Sequence, residues 1–240
     1  MGSFAFVDAT TWIGGFDATG YLNQMAANIS TEELDCTPFG STYRRRTGGL
    51  KTLSATYSGF YEAGTGTPDP EFFTNLGTSD RVTTISSLST ETTPAYLYQG
   101  GVFRYSPFGQ IGQVTPFQVS QSSTNAVGAI RGQVAKAKAN VSSTGATGTG
   151  VNLGQVGAAQ FLYATFHVFT AGTTITVIVE SDDNANFTSA TTRQTIGPIT
   201  TTGGTWMTRV AGAITDTHYR FNVTAVTGTF SIAGAIGIGS

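Results

Sequence analysis

The chain has 240 residues, of which 11% are charged, and 12 Lys and Arg against 14 Asp and Glu give a formal net charge of -2. Charge this sparse and balanced excludes phosphate binding as the main activity, because that needs a concentrated basic excess. The single cysteine, Cys36, excludes an intrachain disulfide, and no apolar run reaches the roughly 18 residues of a membrane-spanning helix.

The amino terminus, MGSFAFVDATTW, lacks the basic segment and long apolar run of a signal peptide, and Phe6 stands where a myristoylation motif needs Ser or Thr. Between Gly20 and Gly64, two strand-like runs are opened by Gly20-Tyr21-Leu22 and ended by Gly59-Phe60-Tyr61. They flank a long polar loop that carries Glu32, Glu33, Asp35, the Pro38-Phe39-Gly40 punctuation and the cluster Tyr43, Arg44, Arg45, Arg46. Taken alone, the three arginines read as a solvated loop, and Cys36 as a small buried or interfacial apolar residue.

A short helix follows with its own signals. Asp69 is placed to cap it, Pro70 suits the first helical position, Glu71 complements the dipole, and Gly77 can close it in the left-handed conformation. Phe72, Phe73 and Leu76 then share a face that needs burial against a sheet. Beyond the helix, period-two alternation dominates: Tyr96 to Tyr105, Ala135 to Ser142, Phe161 to Phe169, Thr173 to Ser181, His218 to Ala225 and Thr229 to Ile238 all read as half-buried strands, as does Leu53 to Tyr61 before it. The fold class is therefore all-β with one short helix.

The run from Gly20 to Gly64, continued through Asp69 to Gly77 and Tyr105 to Val119, resembles the phage tail tube (major tail) proteins of long-tailed phages. The resemblance implies a curved-sheet or barrel tube domain with one helix packed outside its sheet. It also implies assembly into stacked hexameric rings that form a hollow conduit for DNA, with the long loop reaching the adjacent ring. On that reading Phe39, Tyr43, Arg44, Arg45 and Arg46 make the inter-ring contact, and Glu32, Glu33 and Asp35 are acceptors on the neighbour. The implied partners are the chain itself, tail tip, terminator and tape-measure proteins, and DNA that passes without specific binding, with no membrane involved. The implied location is the virion tail, after synthesis in the host cytoplasm.

Ser143 to Ala158 is rich in Gly and Thr and lacks strand alternation, so a flexible connection is expected there, with a boundary near Gly150. This divides the chain into a tail-tube domain over 1–147 and an accessory C-terminal β-sandwich over 148–240. The alternative is a long hairpin loop inside a single barrel.

No cofactor, metal or catalytic site is expected. His167 and His218 fall on the polar faces of strands without ligand spacing, where a solvated or hydrogen-bonded surface role suits them. The Asp182-to-Asn186 run begins like a calcium loop, but Phe187 and Arg193 occupy the positions that need Gly and Glu, which leaves a hairpin turn. No nucleophile elbow or phosphate loop occurs, so the chain is not expected to be an enzyme. Lys136 and Lys138 share one strand face, either wet or against a partner. The four N-x-Ser/Thr sequons, at Asn28, Asn140, Asn186 and Asn222, match chance in so Ser/Thr-rich a chain. Two other classes remain open: a carbohydrate-binding or adhesive β-sandwich using Trp12, Trp206 and Tyr219, which otherwise belong to the core, and another phage part such as a tail terminator or head decoration protein.

Overall fold

Alternation becomes sixteen strands, one α-helix and one 3₁₀ turn in the computed structural model, which describes residues 9–240. The amino-terminal reading that turned on Phe6 lies outside those residues. In chain order the elements are β1 (Thr10–Ile13), β2 (Phe16–Asp17), β3 (Leu22–Asp35), β4 (Arg46–Phe60), α1 (Pro68–Thr74), β5 (Arg81–Ser86), β6 (Pro94–Pro107), β7 (Pro116–Ser123) and β8 (Ile130–Val141). The second half continues with β9 (Gly145–Asn152), β10 (Phe161–Thr170), β11 (Thr174–Asp182), β12 (Thr191–Ile199), β13 (Gly203–Trp206), β14 (Val210–Ala211), β15 (His218–Thr227) and β16 (Phe230–Gly239).

Two compact units form among the described residues: one from 9–21, Arg81–Gln99 and Ile130–Ser240, the other from Leu22–Asp80 and Gly100–Ala129. In the first, a sheet runs in the order β13-β10-β16-β8-β6-β5-β1-β2, and a second sheet runs β12-β11-β15-β9. The apolar faces of the two sheets meet in one core that includes Phe166, Val177, Phe221, Phe230 and Ile232, with the Phe166 and Phe221 rings edge-on at 5.5 Å. Full burial of such side chains contributes about 1.5–3 kcal/mol each.

The larger sheet also curls until its ends meet, giving a nearly closed barrel. Val82 on β5 lies against Gly204 on β13, and Gly15 after β1 lies against Gly203. Closure explains why β10 is buried on both faces. His167, expected at a solvated surface, is fully buried inside the seam, because the polar face of β10 turns toward β1 and β5. Its Nδ1 lies 2.8 Å from the Gly14 carbonyl, which can only accept, so Nδ1 carries the proton and Nε2 accepts from Thr84 Oγ1 at 2.9 Å. Thr165 then donates to Thr84 at 2.7 Å. Trp12 packs on the His167 ring at 5.7 Å, so it belongs to the core as expected, and so does the buried Tyr219. Trp206 is half-buried against Tyr163 at 5.9 Å.

Other expectations also change. The stretch expected as a flexible connection contains β9, which pairs with β15 in the first unit, so the expected boundary near Gly150 falls inside a strand. Two of its glycines serve close packing: a Cβ on Gly148, at φ +79°, would sit 2.1 Å from the Ala135 carbonyl oxygen of β8, and one on Gly150 would sit 2.6 Å from the Phe187 ring. Lys136 and Lys138 have partners within the chain, at 3.9 Å from Glu91 and 2.8 Å from Asp17 respectively, and Lys138 also lies over the Phe169 ring. His218 is half-buried and its Nδ1 is 2.9 Å from Thr217 Oγ1.

The Asp182 carboxylate accepts backbone N–H groups from Ser189 at 2.7 Å and Asn184 at 3.0 Å, as a turn-forming Asp does. These bonds, the Ser189 one foremost, hold its pKa below the usual carboxylate value. Added calcium should leave the melting temperature unchanged, and a rise of several degrees would show a metal competing for those oxygens.

Burial inside the seam holds the His167 pKa down at about 4, against an ordinary 6.5. Above pH 6.5 the ring is neutral in folded and unfolded chains alike. As pH falls from 6.5 toward 4 only the unfolded chain takes up the proton, so stability should drop across that window, by about 3 kcal/mol in total. Denaturant titrations between pH 7 and 4.5 should show this fall, and His167→Gln should flatten it; an equal slope in the variant would acquit His167.

Candidate functional site

In the second unit, β3 pairs along its whole length with β4, and β4 in turn pairs with β7 from Ser54 to Phe60. β7 also pairs with the second half of β6. Leu53, Ala55 and Tyr57 alternate inward along this supported half of β4, and the Tyr57 hydroxyl donates to Gln121 at 3.1 Å. α1 adds Phe72, fully buried between Tyr105 and Phe117 at 6.1 and 5.6 Å.

The helix begins earlier than its sequence signals suggest. Pro68 opens it, Thr67 is the N-cap without a side-chain cap bond, and Asp69 instead accepts from the Tyr105 hydroxyl at 2.7 Å. Burial, and then that bond, raise the Tyr105 pKa. Gly77 takes the expected left-handed conformation at φ +84°, but the helix is closed by Asn75, and the Gly77 N–H bonds the Val102 carbonyl at 2.8 Å. Only Phe72 of the expected apolar face is buried, while Phe73 and Leu76 are exposed.

Before Ser54 the support ends. The remaining β3–β4 ribbon continues to the Asp35↔Arg46 pair with no buried residue on either strand short of Leu53. Much of the expected polar loop is therefore paired strand. Cys36 extends the ladder by one bond to the Arg45 carbonyl at 2.9 Å, and the chain then reverses through Pro38 to Ser41 with Gly40 at φ +83°. Phe39 is fully exposed at this turn, Tyr43 nearly so, and Leu50 is 80% exposed on β4. Cys36, expected buried or interfacial, is exposed in the single chain.

The ribbon brings the expected contact residues together at one end, but it ties two of the three expected acceptors to itself. Arg46 pairs with Glu33 of the same hairpin, at an exposed site where such a pair contributes about 0–1 kcal/mol. Asp35 accepts both the hydroxyl and the N–H of Thr37, and these bonds lower its pKa, the hydroxyl most. Arg44, Arg45 and Glu32 are exposed, and their side chains have no partner among the described residues.

A second exposed element lies within Tyr105 to Val119, a segment that carries the family resemblance but to which the sequence assigns no contact. The loop between β6 and β7 presents Phe108, Ile111 and Val114, with Ile111 fully exposed. Phe108 sits at φ +73°, rare for an aromatic residue, and packs at a tilt against the Tyr61 ring at 5.0 Å. The available signal was the absence of any charged residue from Tyr105 to Ile130, across a turn with three large apolar side chains. Of thirteen large apolar side chains left exposed in the described residues, twelve belong to the second unit, Tyr96 being the exception.

No protein-family model matches the chain, and neither does any curated protein sequence. Among solved structures, it is similar to a chain in the virion of a native gene transfer agent particle, at 15% identity and a TM-score of 0.38, over 45% of this chain and 84% of that one. It is also similar to a chain in the C6-symmetric tail of an empty gene transfer agent particle, at 13% identity and a TM-score of 0.40, over 52% and 96%. A third is the SPP1 Dit protein, described as a paradigm of the hub adsorption apparatus in phages infecting Gram-positive bacteria, at 12% identity and a TM-score of 0.38, over 97% and 99%.

Exposed ribbon ends with few buried contacts are where proteases cut first. Brief digestion of the single chain with a non-specific protease should nick between Cys36 and Arg46 before any other described segment. First cleavage between Gly145 and Asn152 would instead restore the flexible connection expected there.

Proposed function

We propose that the chain is a phage-type tail structural protein, a subunit that stacks in rings to build the hollow tail tube. The observation that carries this reading is the unsupported β3–β4 ribbon. A two-stranded hairpin alone is marginally stable in water, and among the described residues β3 pairs with β4 alone, which leaves its other edge free. Leaving Phe39, Tyr43 and Leu50 wet forgoes about 1.5–3 kcal/mol for each one that an interface would bury.

Such a ribbon suits covering by neighbouring subunits. A surface that differs from its own complement joins head to tail, so it closes into rings in one direction and repeats along an axis in the other. The hexameric number comes from the sequence resemblance. Sparse basic residues suit a conduit through which DNA slides without being held. The adhesive β-sandwich alternative loses its best residues, since Trp12 and Tyr219 are buried.

Electron microscopy of the purified chain at high concentration, or with the native tail tip complex, should reveal rings or tubes. The double variant Arg44→Glu/Arg45→Glu should match the parent's unfolding midpoint within about 0.5 kcal/mol per site, because neither side chain packs in the core. It should nonetheless fail to elongate. Tubes of normal length from the variant would remove the ribbon end from the stacking contact.

A further inference from the structure

The two exposed elements of the second unit stand at opposite ends of one strand. β4 carries the ribbon end at Arg46 and the Pro116 side of the β6–β7 loop at Phe60, through the Phe60↔Pro116 pairing. Fifteen extended residues separate those ends by about 45 Å. The ribbon end of one chain therefore cannot reach the β6–β7 loop of the same chain.

Their chemistry is complementary. The ribbon end offers apolar Phe39 and Tyr43 beside Arg44 and Arg45, whose side chains have no partner among the described residues. At the other end, Phe60, Phe108, Ile111 and Val114 are exposed on a segment without basic residues, and the exposed carboxylate of Glu62 follows Tyr61, whose N–H bonds the Thr115 carbonyl at 2.8 Å. Arg44 and Arg45 at the first end complement the Glu62 carboxylate at the second, and Glu32, Glu33 and Asp35 at the first end leave it without net positive charge.

From this geometry we infer that the Phe39–Arg45 end of one copy seats on the β6–β7 loop of the next, with Phe39 and Tyr43 against Ile111 and Val114 and with Arg44 or Arg45 paired to Glu62. The inference rests on the stacked-subunit reading and names the acceptor that reading leaves open. A lipid surface fits less well, because membrane-seeking loops combine apolar tips with Lys, Arg or Trp, and none lies between Tyr105 and Ile130. Glu32, Glu33 and Asp35 stand at the same end as the arginines, so in head-to-tail stacking they do not meet them across the joint.

The native chain supplies half of a test in its single exposed thiol, Cys36. In full-length Ile111→Cys, a short bis-maleimide added to assembled protein should give a ladder of covalent multimers on denaturing gels. Cys36→Ser/Ile111→Cys should give no ladder, and Gln113→Cys repeats the measurement should Ile111→Cys fail to assemble. Glu62→Lys should restore elongation to Arg44→Glu/Arg45→Glu.

Assemblies without a ladder from either cysteine variant would overturn the inference while leaving the tube reading intact. A parent chain that never assembles, even with the tail tip complex, would remove both. Cross-linked dimers through Cys36 alone would mean end-to-end joining of ribbons, and co-sedimentation with neutral phosphatidylcholine vesicles that Ile111→Asp abolishes would mean a lipid occupant; either result overturns the proposal.

Discussion

The end of β-sheet support at Ser54 is the constraint on which the second unit depends. From Ser54 to Phe60, β4 has a neighbour on each side and buries alternate side chains; from Arg46 to Thr52 it has β3 alone and buries none. Backbone pairing continues past a register shift between Thr31 and Glu33 to the Asp35↔Arg46 pair, so the ribbon keeps its direction. What it lacks is a hydrophobic face to pack on, and hydrogen bonds exchanged with water contribute only about 0.5–1.5 kcal/mol each. The ordered shape of the ribbon and its incomplete burial follow from that one difference.

The first unit shows the opposite condition. Its two sheets share a core, and the larger sheet closes on itself through the Thr165, Thr84, His167 and Gly14 chain of hydrogen bonds. Each His167 ring nitrogen has a partner, which is what allows an imidazole to stay buried and neutral. Nearly all the exposed large apolar side chains belong instead to the second unit. That division separates a unit whose large apolar side chains are covered from one that leaves many of them exposed.

Much of this was legible in the sequence. The strands from β4 through β16 that alternate clearly, such as β10 and β15, lie where period two placed them, and the polar ends of the ribbon strands carried the arginines. Other features turned on distant parts of the chain. His167 reads as a polar-face residue because alternation reports two faces of a strand and is silent about a sheet that curls over one of them. The glycines of β9 read as flexibility, although Gly148 is there because β8 passes too close for a side chain. Asp69 looked like a cap because its tertiary partner, Tyr105, stands 36 residues away. The β6–β7 loop has no charged or catalytic residue to mark it in the sequence, and its exposure depends on how β6 and β7 pair.

The central claim is that the β3–β4 ribbon is formed but uncovered in the single chain and becomes covered on assembly. Amide hydrogen exchange followed residue by residue, in dilute monomer and in assembled protein, addresses it most directly. The account predicts fast exchange from Asn28 to Leu53 in the monomer and strong protection of the same amides in the assembly, with the first unit's core slow in both. Equal exchange of those amides in the two states would contradict it.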